Sequence, residues 1–164
     1  IKGCQVSEKE KDIIYKRITN REYNKCVQIG YRGQKISDKW IVVDKFDNSP
    51  IVTLNDDVAC LSFADDSIDI IVCNAVLQYV VDPIQVIKEF NRVLKKGGKV
   101  WIEAPSIQPI TYINKHLGFD DLWRFSLKGI ETIVADNFKT IQIGYSRVRG
   151  SYLNFGVYYY GEKI

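Results

Sequence analysis

The stretch from Cys60 to Pro105, CLSFADDSIDIIVCNAVLQYVVDPIQVIKEFNRVLKKGGKVWIEAP, sets a strand, an exposed crossing, a helix and a second strand in an order that few folds use. Its IDIIVCNA run is almost continuously apolar, which suits a strand covered on both faces in a parallel sheet rather than one wetted on one side. Asp82-Pro83 then starts a helix: the aspartate caps the free amide groups, and the proline fits the first position, where its missing N–H costs nothing. Ile84, Ile87, Phe90, Val93 and Leu94 recur at helical spacing on one face, and Gln85, Lys88, Glu89, Arg92 and Lys95 on the other. Gly97-Gly98 is expected to end the helix in the left-handed conformation, and KVWIEAP to follow as the next strand. The pattern is a βαβ unit with a right-handed crossover.

The remainder of the chain extends this unit into an α/β domain. Ser7 to Asn20 reads as a helix with a capping box, Ser7 matched by Glu10, and a short apolar face of Ile13, Ile14 and Ile18. Strands are expected at Lys25 to Gly30, Trp40 to Asp44, Ile51 to Leu54, Ile68 to Ala75 and Lys99 to Glu103, and a helix over Leu127 to Ala135 capped by Ser126. TIQIGYSRV and YLNFGVYYYGE flank Arg149-Gly150-Ser151 and read as an antiparallel hairpin at the sheet edge. With 164 residues, 46% apolar and 26% charged, residues 1–164 are expected to form one domain with a core that needs neither disulfide nor metal. Cys4, Cys26, Cys60 and Cys73 show no CxxC spacing and read as reduced, buried thiols of a cytoplasmic protein. No apolar run reaches the ~18 residues of a membrane span, and no secretory leader is seen. The net charge of +3 is dispersed, which argues against a nucleic-acid partner.

In open α/β sheets a ligand sits beyond the carboxyl ends of the strands, near the point where strand order reverses. That rule places Gly30-Tyr31-Arg32-Gly33-Gln34, Asp44 and Asn74 around one site, with Gly30 and Gly33 letting backbone approach a ligand closely. Asp44, at the end of WIVVD, is placed to accept hydrogen bonds from ribose hydroxyls. Only fourteen residues separate Gly30 from Asp44, against ~20 in dinucleotide-binding folds. About nine remain for the connection, fewer than the ~10–12 of a crossover with its helix. The first helix is therefore a stub or absent, which counts against a pyrophosphate ligand and a nicotinamide-dependent oxidoreductase. The long connection from Ala104 to Phe125 is the natural acceptor side. It holds His116, the single histidine and a candidate general base with an unperturbed pKa of ~6.5. It also holds Arg124, which can pair with Asp121 or clamp an anionic acceptor.

The wording LSFADDSID, the DP-initiated helix and RVLKKGG closely resemble the central motifs of class I S-adenosylmethionine-dependent methyltransferases, over roughly Cys26 to Phe125. The resemblance implies a doubly wound, mostly parallel seven-stranded sheet with an antiparallel C-terminal hairpin, and S-adenosylmethionine as cofactor. It implies that Asp57 accepts from the exocyclic amine of adenine and that Val58 supplies a backbone amide to the ring. The usual G-x-G-x-G loop is altered here: Arg32 holds the middle glycine position and Gly33 follows. DDLWRFS is similar to the HDYWRFT of small methyltransferases encoded with glycan-building enzymes, with Asp120 standing where those have histidine. His116, Asp120 and Arg124 are thus the catalytic candidates, and a small molecule or glycan intermediate is the implied acceptor. Arg32, the stripped crossover and the short acceptor cap leave open a second class, a methyltransferase-like subunit without catalysis that binds a protein partner or a copy of itself.

Overall fold

In the computed structural model, which describes residues 8–31, 33–108, 120–147 and 154–164, the apolar runs lie inside a single sheet. Its strands are β1 (Cys26–Ile29), β2 (Trp40–Val43), β3 (Ile68–Asn74), β4 (Leu94–Pro105), β5 (Phe138–Arg147) and β6 (Asn154–Lys163). They stand in the order β2-β1-β3-β4-β6-β5. The pairs β1–β2, β1–β3 and β3–β4 are parallel, and β6 runs antiparallel to both β4 and β5. Helices α1 (Glu8–Thr19), α2 (Pro83–Val93) and α3 (Leu127–Val134) flank the sheet, with a 3-10 turn at Leu77–Tyr79 after β3.

Alternate residues of each strand feed two cores, as the period of two requires. Val27, Ile29, Ile71, Cys73, Val100 and Ile102 pack with α2 and α3. Cys26, Trp40, Ile70, Val72, Trp101 and Tyr158 pack with Ile14, Tyr15 and Ile18 of α1. Trp101 stacks on Tyr158 at 5.2 Å and meets the edge of Tyr15 at 5.3 Å. Both faces are covered, so the near-continuous apolar run of β3 is explained. Burial pushes the Cys73 thiol up to about 12, so it packs as a small hydrophobe. Among the described residues no helix is long and apolar enough to cross a membrane.

The caps expected at Asp82 and Ser126 are present: Asp82 Oδ1 accepts from the amides of Ile84 and Gln85, and Ser126 Oγ from that of Gly129. Ser7 of the expected capping box and the turn at residues 149–151 lie outside the described residues. Several expectations are corrected. The sheet has six strands rather than seven, because Ile51 to Leu54 forms no strand. Thr53 Oγ1 accepts from the Val42 amide, and the amides of Thr53 and Leu54 both donate to the Val42 carbonyl. The segment therefore turns across the edge of β2, leaving one bridge between Val43 and Leu54. Helix α2 ends at Val93, since Leu94 is already extended and paired with Ile68. Gly97, at φ +75°, belongs to the irregularity where the register jumps from Ile68–Leu94 to Ile70–Lys99. A Cβ on Gly98 would lie 2.7 Å from the Lys95 carbonyl oxygen; the glycine pair builds a bulge, not a helix cap. Ile13, Ile84 and Cys60 are exposed, whereas Glu89 is buried.

Glu89 is buried because the chain before β3 needs it. Its Oε1 accepts from the Leu61 amide at 2.7 Å and from Arg92 Nη2 at 2.6 Å, and its Oε2 from Arg92 Nε at 2.9 Å. Arg92 also donates to the carbonyls of Leu61 and Phe63 and to Asp65. Asp69 works similarly at the start of β1: Oδ2 accepts from the amides of Asn24 and Lys25, and Oδ1 pairs with Lys95 at 2.6 Å. Arg92 holds the Glu89 carboxyl below the usual carboxylate range against the opposing effect of burial. A carboxyl depressed in the folded state stabilises it above the unfolded pKa of ~4.3, and the contribution is lost as pH falls through the lower folded value. Glu89→Gln is expected to destabilise the protein by about 1.5–3 kcal/mol at neutral pH, a gap that narrows on going below pH ~4. Urea unfolding of both proteins at two pH values checks this; equal midpoints at neutral pH would remove Glu89 from this role.

Candidate functional site

The carboxyl end of β1 is shaped by what replaces a crossover helix. Gly30 sits at φ +84°, and a Cβ there would lie 2.6 Å from Val76 Cγ2, so glycine is required on two counts. Between β1 and β2 no helix occurs among the described residues. The connection is fastened by side chains instead. Gln28, buried on β1, donates from Nε2 to the carbonyls of Gly30 (3.2 Å) and Gln34 (2.8 Å) and accepts at Oε1 from the Ile36 amide (2.9 Å). From the end of β2, Asp44 Oδ2 accepts from the Tyr31 amide at 2.8 Å, and Oδ1 from the amides of Phe46 and Asp47.

Beyond the ends of β1, β2 and β3 lies a cavity of about 510 Å³, bordered by Gly30, Asp44, Asp57, Val58, Asn74 and Asp120. Its charged lining comprises Asp44, Asp56, Asp57, Asp82 and Asp120 against Lys45 alone among the described residues. Asp57 Oδ2 accepts from Lys45 Nζ at 2.8 Å and Oδ1 from the Ala59 amide at 2.9 Å. The Lys45 hydrogen bond, seconded by that amide, holds the Asp57 carboxyl below its ordinary range. Asp56 likewise accepts two hydrogen bonds, from the amide and hydroxyl of Ser62. Asn74 Nδ2 meets the Tyr15 hydroxyl at 3.3 Å, and its buried Oδ1 has no partner.

A second cavity of about 290 Å³ lies on the other side of Asn74, Ala75 and Tyr79, bordered by Gln78, Glu103, Gln108, Asp121, Arg124 and Ser146. Arg124 donates to both oxygens of Asp121 at 2.5 and 2.7 Å and to the carbonyls of Gln108 and Trp123. Glu103 pairs through Oε1 with Lys11 of α1 at 2.9 Å.

The structure thus brings Gly30, Asp44, Asp57, Val58 and Asn74 to one cavity together with Asp120, and turns Arg124 toward the other. Gly33, at φ +76°, faces open space and does not border the cavity. His116 and Arg32 lie outside the described residues. Sequence reasoning passed over Gln28 and Gln78. Each was signalled by an amide side chain inside an apolar run, CVQIG and AVLQYV, where a buried polar group demands a partner.

Residues 24–102 match the family described as methyltransferase domain. The fold is shared with a S-adenosylmethionine-dependent methyltransferase from Methanosarcina mazei, at 18% identity over 93% of this chain and 97% of that one, with a TM-score of 0.68. It is shared with the N-methyltransferase NodS from Bradyrhizobium japonicum in complex with S-adenosyl-L-homocysteine, at 14% identity over 95% and 86% of the two chains and a TM-score of 0.66. A putative methyltransferase in complex with the Trm112 methyltransferase activator of Haloferax volcanii is similar at 16% identity, over 95% and 93%, with a TM-score of 0.67. None of the curated proteins matches the sequence. The motifs at residues 24–102, just under half of the chain, are thus similar to those of the methyltransferase domain family, and the Rossmann-like sheet that carries them is the fold shared with these solved methyltransferase structures.

Proposed function

We propose that the larger cavity binds S-adenosylmethionine and that the protein transfers its methyl group to a small-molecule acceptor, sugar intermediates among them. The observation that carries this reading is the charge of the cavity: five aspartates face one lysine. Such a wall suits a ligand with a sulfonium and an ammonium and disfavours one with phosphates. The residues fit the group in other respects. Gly30 leaves room where any Cβ would collide. Asp44 accepts three amide hydrogen bonds, which leaves roughly one of the about four acceptor sites of a carboxylate for a ribose hydroxyl. Asp57 keeps acceptor capacity for an adenine amine beside the apolar Val58, and stays ionised.

The sulfonium supplies an electrophilic methyl group, so the chain's own task is chiefly to bind, orient and exclude water. Asp44 and Asp57 hold the adenosine portion, Gly30 and Asn74 border the amino-acid portion, and Asp120 borders the same cavity from the connection expected to meet the acceptor. Arg124 is a positioning residue, since it is spent on holding Asp121 and the carbonyls of its own segment. His116 stays a candidate base for acceptors that must lose a proton.

Calorimetric titration with S-adenosylmethionine and S-adenosylhomocysteine is expected to show binding of both, and titration with NADH to show none. No heat at millimolar nucleoside ligand, where about −4 kcal/mol of affinity registers, sinks the reading. Asp44→Ala is expected to weaken S-adenosylhomocysteine by about 1.5–3 kcal/mol, roughly 10- to 150-fold, through loss of a charge-assisted hydrogen bond. An unchanged dissociation constant takes Asp44 out of the site.

A further inference from the structure

We infer that the smaller cavity is the acceptor subsite and selects an amine, a reading that rests on the larger cavity holding S-adenosylmethionine. The two share Asn74, Ala75 and Tyr79, so a molecule in one is a wall's thickness from a molecule in the other. Among the described residues, the charged ones bordering the smaller cavity are Glu103, Asp121 and Arg124, one more acid than base. Arg124 is committed to Asp121, bidentately, and to two carbonyls. It is thereby unavailable to clamp a carboxylate or phosphate. Glu103 has one oxygen on Lys11 and the other, Oε2, without a partner, on a side chain 27% exposed.

Two amide oxygens add to this negative field. Gln78 is 3% exposed, and its Nε2 donates to the Ala75 carbonyl at 2.9 Å. A carbonyl only accepts, so the amide orientation is fixed and Oε1 is left with no donor. Asn74 Oδ1 is buried and unpartnered on the same wall. These buried oxygens add negative potential to the cavity wall that the surrounding protein screens weakly, and positive charge in the cavity compensates it.

The chemistry of transfer separates an amine from a hydroxyl. An acceptor held as its ammonium first gives one proton to water; the nitrogen lone pair so freed then forms the new N–C bond while the S–C pair stays on sulfur. The product is an alkylammonium, and its proton leaves to water afterwards. A hydroxyl acceptor must give up its proton to a base during the step. Among the described residues bordering the cavity there is no histidine, Asp121 is ion-paired through both oxygens, and Glu103 is ion-paired through Oε1. Transfer to an amine instead moves positive charge into the cavity, where Glu103, Gln78 and Asn74 stabilise it more in the transition state than before it.

Ethanolamine, ethylene glycol and glycolate are matched two-carbon probes that differ in one group. Titrated by NMR into the protein saturated with S-adenosylhomocysteine, ethanolamine is expected to bind most tightly, to shift the Gln78 side-chain amide signals, and to exceed glycolate by at least tenfold. Glu103→Gln and Gln78→Leu are each expected to weaken ethanolamine about tenfold and leave ethylene glycol unmoved, a change in selectivity that a loosened fold does not produce. Glycolate binding as well as ethanolamine, or Gln78 signals that stay in place in the wild-type protein, overturns the inference even if both variants fail to fold. S-adenosylhomocysteine affinity is read separately by calorimetry. Its absence together with amine selectivity strikes the methyltransferase reading, whereas its presence without amine selectivity strikes this one.

Discussion

The ion pair between Glu89 and Arg92 is the constraint on which the floor of the larger cavity depends. The segment from Asn55 to Ser67 has almost no regular structure, and its backbone groups must nevertheless be satisfied where they are buried. Arg92 collects the Leu61 and Phe63 carbonyls, and Glu89 takes the Leu61 amide. One turn of α2 thus does the hydrogen bonding that a neighbouring strand would otherwise do. Burying such a pair is unfavourable unless every lone pair and N–H is used. Here Glu89 and Arg92 share two hydrogen bonds and divide the rest among backbone groups and the Asp65 carboxylate. The turn that follows Asp56, with Asp57 and Val58 at the cavity, is delivered by this clamp.

The connection between β1 and β2 solves a related problem with less chain. A crossover helix would present free N–H groups at its N-terminus, the usual basis for binding phosphate. In this protein the corresponding amides are already used: that of Tyr31 by Asp44 and that of Ile36 by Gln28. The shortened connection therefore removes the anion-binding device and sets a carboxylate in its place. A fold often associated with dinucleotides is in this way biased toward a cationic nucleoside. Gln28 is central to that change, because its single amide group serves two carbonyls and one N–H that lack any secondary-structure partner.

Elements whose residues answer to one local rule were legible in the sequence. The buried strands β1 and β3 show as apolar runs, α2 and α3 announce themselves by Asp82 and Ser126, and the shortened first connection follows from counting. The misreadings arose where tertiary contacts outvote local preference. Ile51 to Leu54 has strand-like composition, yet the Thr53 hydroxyl takes the β2 amide that a strand's carbonyl would need. Gly97-Gly98 has the look of a helix end, but the pairing of Leu94 with Ile68 ends the helix four residues sooner. The DDSID motif was recognisable as a motif, while its work was not: Asp65 holds Arg92, Asp66 holds Lys163 and Asp69 holds the start of β1. At the site, the acidic strand end at Asp44 was readable from position alone. Gln78 was signalled as a buried amide by its apolar run, but its place at a cavity was not, because that cavity is formed by residues far apart in the chain.

Ala75 draws the two cavities into one mechanism. It sits between them at φ +53°, a conformation that costs an alanine about 1–2 kcal/mol and persists only where the surroundings over-determine it. They do so here: the Ala75 amide donates to the Glu103 carbonyl at 2.7 Å, and its carbonyl accepts from Gln78. The same two residues that line the smaller cavity thus hold the end of β3 in its strained form. That strain turns the chain out of the sheet and into the 3-10 turn at Leu77–Tyr79. Relaxing Ala75 into the β region would send the chain on along the sheet and merge or close the space on either side. The wall between the two cavities is thin because only Asn74, Ala75 and Tyr79 border both. It is rigid because the Glu103 backbone carbonyl and the Gln78 side-chain amide fix Ala75 from both sides.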